Sequence, residues 1–193
     1  TSHTRLSFCG SDGPSCGTHS GGTFSGRGND ISRSQRRFET RPASCGTDDQ
    51  DYGIQVRIAR YHNIYGPYGT YDGGREKAPA ALCRKVIDSK MNKKDNIDVW
   101  GDGEQTRSFL YIDDCIKGTK KVFDSDHSVP FNVGSEEQVS INQMIKIIEE
   151  IAEYKVEKNY QLDKPKGVRG RSSDNSFVKK NVGWEPNYNL KQG

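Results

Sequence analysis

From Gly53 to Tyr61 the chain sets Ile54, Val56 and Ile58 at every second position, between a glycine and the Gly66-Pro67 turn, and this period of two predicts a strand. Over Glu76 to Ser89 the period lengthens. Ala78, Ala81, Leu82 and Val86 share one helical face, and Pro79 lies in the first turn, where its missing N–H costs nothing, so a helix is predicted. Ile97 to Trp100 and Ser108 to Ile112 read as short strands either side of a Gly101-Asp102-Gly103 turn, with Asp113 as the cap of a helix running to about Phe123. Phe131 to Gly134 reads as a further strand. Ser140-Ile141-Asn142-Gln143 is a capping box, and it opens a helix whose Ile141, Met144, Ile145, Ile148, Ile151 and Ala152 form one apolar stripe, expected to pack in the core. Alternating strands and helices of this length predict α/β architecture, with no internal repeat.

The pattern fails before residue 51. Residues 1–50 hold nine apolar residues (Leu6, Phe8, Cys9, Cys16, Phe24, Ile31, Phe38, Ala43 and Cys45), whereas residues 51–193 carry every lysine and every tyrosine of the chain. So few large apolar groups do not offset a backbone entropy cost of roughly 1–2 kcal/mol per residue, and disorder is the expectation for 1–50. The composition break suggests a segment joined out of frame to a second unit over 51–193. No β-like run is evident before Gly10, so Gly10, Gly13 and Gly17 lack the strand and helix that a dinucleotide loop needs. His3, His19, Cys9 and Cys16 fit no standard metal spacing, and no metal is expected.

Composition narrows the class. The 193 residues carry a formal charge of +3 with 28% charged side chains of mixed sign, too balanced for a nucleic-acid footprint. No apolar run approaches the roughly 20 residues that span a bilayer, and no secretory leader is recognisable, so a cytoplasmic protein is expected. Five cysteines without a CxxC pair predict reduced thiols.

Three segments combine glycine with basic residues: Gly73 to Lys77, Gly101 to Arg107, and Gly167 to Arg171. Arginine grips phosphate oxygens with two parallel donors, and glycine lets a backbone come close, so together the three suggest a diphosphate pocket; solvated surface charge is the equal alternative. Lys77, at a helix start, sits where the macrodipole favours proton exchange.

Residues Arg60 to Pro67 (RYHNIYGP), Gly73 to Ala81 (GGREKAPAA), Trp100 to Gly103, Gln105 to Phe109, Gly167 to Asn175 (GVRGRSSDN) and Gly183 to Pro186 carry a resemblance. Over roughly 51–193 the chain resembles the C-terminal half of the extended short-chain dehydrogenases, and among them the GDP-mannose 3,5-epimerase family. The resemblance implies a partial extended short-chain dehydrogenase fold, the end of a Rossmann-like domain plus a C-terminal substrate-binding domain. It implies a nucleotide-sugar isomerase that converts GDP-mannose to GDP-L-galactose by transient NAD oxidation at carbon 4 and inversion at carbons 3 and 5, in a homodimer. By motif it implies Lys77 as the proton-donating residue, and Asn63, Glu76, Lys77, Ala78, Lys85, Gln105, Thr106, Arg107 and Arg171 as sugar-nucleotide contacts.

The family's NAD loop, its catalytic cysteine segment and its Tyr-x-x-x-Lys pair precede the region matched, and none is recognisable in residues 1–50. Tyr154/Lys158 and Tyr160/Lys164 have the spacing but lie beyond the substrate segment, and Pro165 breaks any helix carrying the second pair. Cys83 and Cys115 fall in predicted helices and do not replace the missing base. The chain alone is therefore expected to lack turnover and NAD binding; a non-catalytic sugar-nucleotide module, or another epimerase or dehydratase of the same fold, are the alternatives. Without the cofactor half, the strand at Ile54 to Ile58 is expected to expose an edge and a face.

Overall fold

A computed structural model describes residues 4–9, 55–164 and 168–193, the first of these by backbone alone. Strand β1 (Thr4–Cys9) pairs in parallel with β2 (Gln55–Tyr61), from Thr4 opposite Gln55 to Cys9 opposite Arg60. Strand β7 (Pro130–Val133) lies on the other side of β2, also parallel. Two expectations are corrected here. Over Thr4–Cys9 the chain is a strand, directly before Gly10, because the unpaired N–H and C=O groups along β2 offer a ladder that a short alternating Leu6/Phe8 run can complete. Strand β2 is consequently central, not an exposed edge, and its Val56, Ile58 and Ala59 are buried. The predictions for Gly10–Gly17, His19 and the other residues up to Ile54 lie outside the described residues, as does His3.

The helices follow the sequence with shifts at their ends. Helix α1 (Ala78–Met91) has Pro79 in its first turn and buries Pro79, Leu82, Val86 and Ser89. Helix α2 (Ile112–Phe123) is capped at Tyr111, so Asp113 lies inside the first turn and not at the cap. Its neighbour Asp114 is wholly buried and accepts hydrogen bonds from the backbone N–H groups of Asn187 (2.7 Å) and Tyr188 (2.8 Å), which explains the shift: the helix start is fixed by a tertiary contact. Helix α3 (Ile141–Ala152) opens with the expected capping box, the Ser140 hydroxyl accepting from the Gln143 N–H and the Gln143 side chain from that of Ser140. Ile141, Met144, Ile145 and Ile148 are buried, but Ile151 is 62% exposed, because at about 100° per residue it falls at the rim of the stripe. A short helix, α4 (Ser176–Val182), ends on Gly183 at φ +65°.

Two cores result. Cluster one joins α1 and α3 to β4 (Asn96–Trp100) through Leu82, Val86, Ile97, Val99, Met144 and Ile145. Strand β4 does not pair with the segment after its turn; it pairs in parallel with β9 (Glu157–Gln161). Cluster two packs Ala59, Phe131 and Val133 of the first sheet against Cys115 and Val122 of α2, with Val178 and Trp184 closing it.

Candidate functional site

The expected strand over Ser108 to Ile112 is split by the chain's route. Thr106–Arg107 forms β5, and Leu110–Tyr111 forms β6 beside β3 (Ile64–Tyr65). Strand β5 runs between β8 (Val139–Ser140), antiparallel, and β10 (Gly170–Arg171), parallel. This three-stranded element sets Arg107 opposite Arg171 and Thr106 opposite Gly170. Backbone bonds from the Thr106 N–H to the Arg169 carbonyl (2.9 Å) and from the Ser108 N–H to the Arg171 carbonyl (3.1 Å) hold the register. The two strands come close at Gly170, where a Cβ would sit 3.0 Å from the Thr106 hydroxyl.

Two more basic residues join this pair from the end of β2. Burial lowers the His62 imidazole below its ordinary range, and the charges of Arg171 and Arg60 lower it further. Burial, and then Arg171, likewise pull the Arg107 guanidinium down. Four basic side chains thus crowd one place, where an anion lowers the energy of all of them. Neither Arg60 nor His62 was among the sequence-predicted contacts, although both stand in the RYHNIYGP run.

The remaining predicted residues fall into two groups. Asn63, at φ +36°, donates from its side-chain amide to the Ser108 carbonyl (3.0 Å), and its own carbonyl accepts from the Leu110 N–H (3.1 Å). It therefore ties β2 to the segment after β5. Gln105 donates to the Trp100 carbonyl (3.2 Å), while its Oε1 is buried without a hydrogen-bond partner. The Thr106 hydroxyl donates to Gln138 Oε1 (3.2 Å), whose amide nitrogen reaches the Ser172 hydroxyl (3.1 Å). Ser108 Oγ, not predicted from sequence, is also buried without a partner.

The second group surrounds the start of α1. Gly73 and Gly74 take φ +89° and +80°, which only glycine adopts readily, and the Gly73 N–H donates to Asp72 Oδ1 (2.7 Å). Arg84, about two helical turns onward, bonds both Asp72 (3.4 Å) and Glu76 (3.3 Å) and so ties the loop to the helix. Glu76 Oε2 is left buried with no partner, an acceptor suited to a ligand hydroxyl. Lys77 is the exposed N-cap residue, Ala78 is the half-buried first residue of α1, and Lys85 reaches across to the Asp98 carbonyl of β4 (2.7 Å). Lys85 and Gln105 therefore meet the same strand, at Asp98 and Trp100.

A separate cavity of about 350 Å³ lies between the loop after β7 and the C-terminal segment, lined by Glu136, Glu137 and Glu185 among others. Its carboxylates repel phosphate, and it includes no predicted contact residue. Among the described residues no group of three His, Cys, Asp or Glu side chains is set to hold a metal ion, and no helix is long and apolar enough to cross a membrane. None of the described residues forms a glycine-rich turn between a sheet strand and a following helix, the seat of a dinucleotide pyrophosphate, so they supply no loop that fits NAD.

The family described as the NAD dependent epimerase/dehydratase family matches residues 45–134. Over 149 residues the chain is 48% identical to GDP-mannose 3,5-epimerase of Arabidopsis thaliana, covering 77% of this chain and 38% of that protein. It is 30% identical over 141 residues to UDP-glucuronic acid decarboxylase 1 of Arabidopsis thaliana, covering 73% of this chain and 31% of the relative. Among solved structures, the UDP-glucose 4-epimerase of Thermotoga maritima with UDP-glucose superposes with a TM-score of 0.69 at 27% identity, covering 78% of this chain and 47% of that one. The chain thus spans less than half the length of these relatives. Through this shared stretch the chain belongs to the NAD dependent epimerase/dehydratase family.

Proposed function

We propose that residues 51–193 are the sugar-nucleotide-binding part of a GDP-mannose 3,5-epimerase, and that the chain binds GDP-mannose through its diphosphate. The observation that carries this reading is the Arg107–Arg171 pair, in register on adjacent strands with His62 and Arg60 beside it. Side-by-side guanidinium groups repel one another in the free protein, and a diphosphate relieves that repulsion while accepting paired N–H donors. Identity favours the hexose: 48% to a GDP-mannose 3,5-epimerase against 30% to a UDP-glucuronic acid decarboxylase.

In this reading the diphosphate lies on Arg107 and Arg171, and the sugar extends toward α1. The unpartnered Glu76 Oε2 and Gln105 Oε1 accept from its hydroxyl groups, with Asn63, Thr106, Ala78 and Lys85 shaping the same cleft. Lys77 delivers a proton to the ring. Its extended backbone at the head of α1 keeps the side chain exposed rather than buried among the helix's apolar contacts.

NAD is the cofactor the family's description names, but the described residues do not supply its loop, so no step of the reaction is derived through it. A second reading is a module that binds the nucleotide sugar without turning it over. Calorimetric titration with GDP-mannose tests the shared part. Saturable heat that disappears in Arg107→Ala and Arg171→Ala supports the diphosphate site, and its absence in the unsubstituted chain overturns both readings. Incubation of the chain with GDP-mannose and NAD is expected to yield no GDP-L-galactose, and turnover would overturn the reading as a non-catalytic module.

A further inference from the structure

The arginines of the cradle stay charged at every physiological pH, but His62 does not. Its position is fixed from two sides. The His62 N–H donates to the Val133 carbonyl (3.3 Å), extending the β2–β7 ladder by one residue. Gly134 follows, and a Cβ there would lie 2.9 Å from His62 Cβ and 2.5 Å from Ser173 Cβ, so the missing side chain is what lets His62 and the Ser173 segment close on each other. The Ser173 segment is held in turn, its hydroxyl donating to Asn175 Oδ1 (2.6 Å) and the Asn175 amide to the Gly134 carbonyl (2.8 Å). Two residues before Ser173 stands Arg171.

The charged groups that act on His62 are Arg171 on β10 and Arg60, two residues before it on β2; Gly134 and Ser173, which pack beside its Cβ, bring no titratable group. Without an anion, burial and two positive neighbours therefore disfavour the imidazolium form. A diphosphate placed on Arg171 reverses the sign of the field at His62: it screens both guanidinium groups and presents oxygens that an imidazolium N–H can reach.

We propose that His62 is the proton-linked member of the anion cradle, taking up a proton when the diphosphate of a nucleotide sugar binds and thereby making that binding tighten as pH falls. The inference rests on the sugar-nucleotide reading above, and it adds a specific residue and a pH response to it. The linkage has one sign. A group that holds its proton more strongly in the bound state favours binding below the bound-state value, and the effect saturates below the free-state value.

GDP-mannose is the suitable probe, because a phosphodiester pair does not itself titrate near neutrality, so any proton taken up belongs to the protein. Calorimetry on the full chain, near neutral pH in buffers of different ionisation enthalpy, reads proton uptake directly. NMR of the imidazole Cε1–H signals reads the site, with His62→Gln identifying the His62 signal among the chain's four histidines. The expected result is net proton uptake, an upward move of the His62 titration on adding GDP-mannose, and affinity rising up to about tenfold between pH 8 and pH 6 for each unit of that move. In His62→Gln both the uptake and the tightening disappear. Binding without proton uptake, or uptake that persists in His62→Gln, overturns the role of His62 and leaves the diphosphate site standing. No binding by the unsubstituted chain at any pH overturns the diphosphate site and the proposal with it.

Discussion

Arg107 and Arg171 are Cα partners on adjacent parallel strands, so two guanidinium side chains leave the same face of the sheet side by side. Burial and the charge of Arg171 disfavour the Arg107 guanidinium, a cost that an anion between the two would offset under the proposed function. Arg171→Met is therefore expected to leave the free chain as stable or slightly more stable, while weakening GDP-mannose roughly 10- to 100-fold, the worth of about 1.5–3 kcal/mol for a hydrogen bond to a charged group. Thermal melts with and without ligand check both halves, and a variant that melts lower but binds normally would refute the pairing argument.

Asp114 is expected to matter for folding and not for ligand. Its carboxylate, fully buried, takes the backbone N–H groups of Asn187 and Tyr188 at 2.7 and 2.8 Å, joining α2 to the C-terminal segment. Asp114→Ala strands two donors and is expected to cost about 2–6 kcal/mol in urea unfolding, counting roughly 1–3 kcal/mol for each buried group left unpaired. A loss under 1 kcal/mol would show that water replaces the carboxylate.

Gly118 is set by packing rather than by backbone angle. A Cβ at this position would lie 2.6 Å from the Trp184 indole, within the second core cluster. A rigid ring wedged against helix α2 yields poorly, so Gly118→Ala is expected to destabilise by about 1–3 kcal/mol despite alanine's better helix propensity. Increased stability would mean the ring moves freely, and the near-ultraviolet tryptophan signal would report it.

Stability should fall at alkaline pH. Burial pushes the Cys115 thiol from 9.0 up to about 11, and burial with the charges of Glu137, Tyr111 and Asp114 pushes the Tyr65 hydroxyl from 10.0 up to about 12. Both groups hold their protons in the folded chain where the unfolded chain releases them. Their contribution is complete below about pH 9 and is lost progressively as pH rises toward 11 and 12. Urea midpoints measured from pH 8 to 11 are expected to decline, with a shallower decline in Cys115→Ala; an identical slope in the variant would remove the thiol from the account.

Local order was legible in the sequence wherever one short-range pattern decides it. The Ser140/Gln143 box, the stripe from Ile141 to Ile148, Pro79 in the first turn of α1 and the period of two through Val56 and Ile58 all reappear in the structure, because capping, helical period and strand alternation act over a few residues. Arg107 and Arg171 stand out in their glycine-rich runs, and the family in its motifs, whereas nothing in the sequence set Arg60 and His62 beside them. Partners across the chain could not be read that way. Arg107 meets Arg171 only because β10 returns beside β5, and β4 passes over the strand after its turn to pair with β9. Asp114 displaced Asp113 as the residue that governs α2, since a buried carboxylate takes its value from donors 73 and 74 residues away. Thr4–Cys9, whose Leu6/Phe8 alternation is too short to mark a strand by itself, is one because β2 offers it a ladder. Hydrogen-bond pairing and charge proximity depend on distance in space, and only the closed fold fixes that distance.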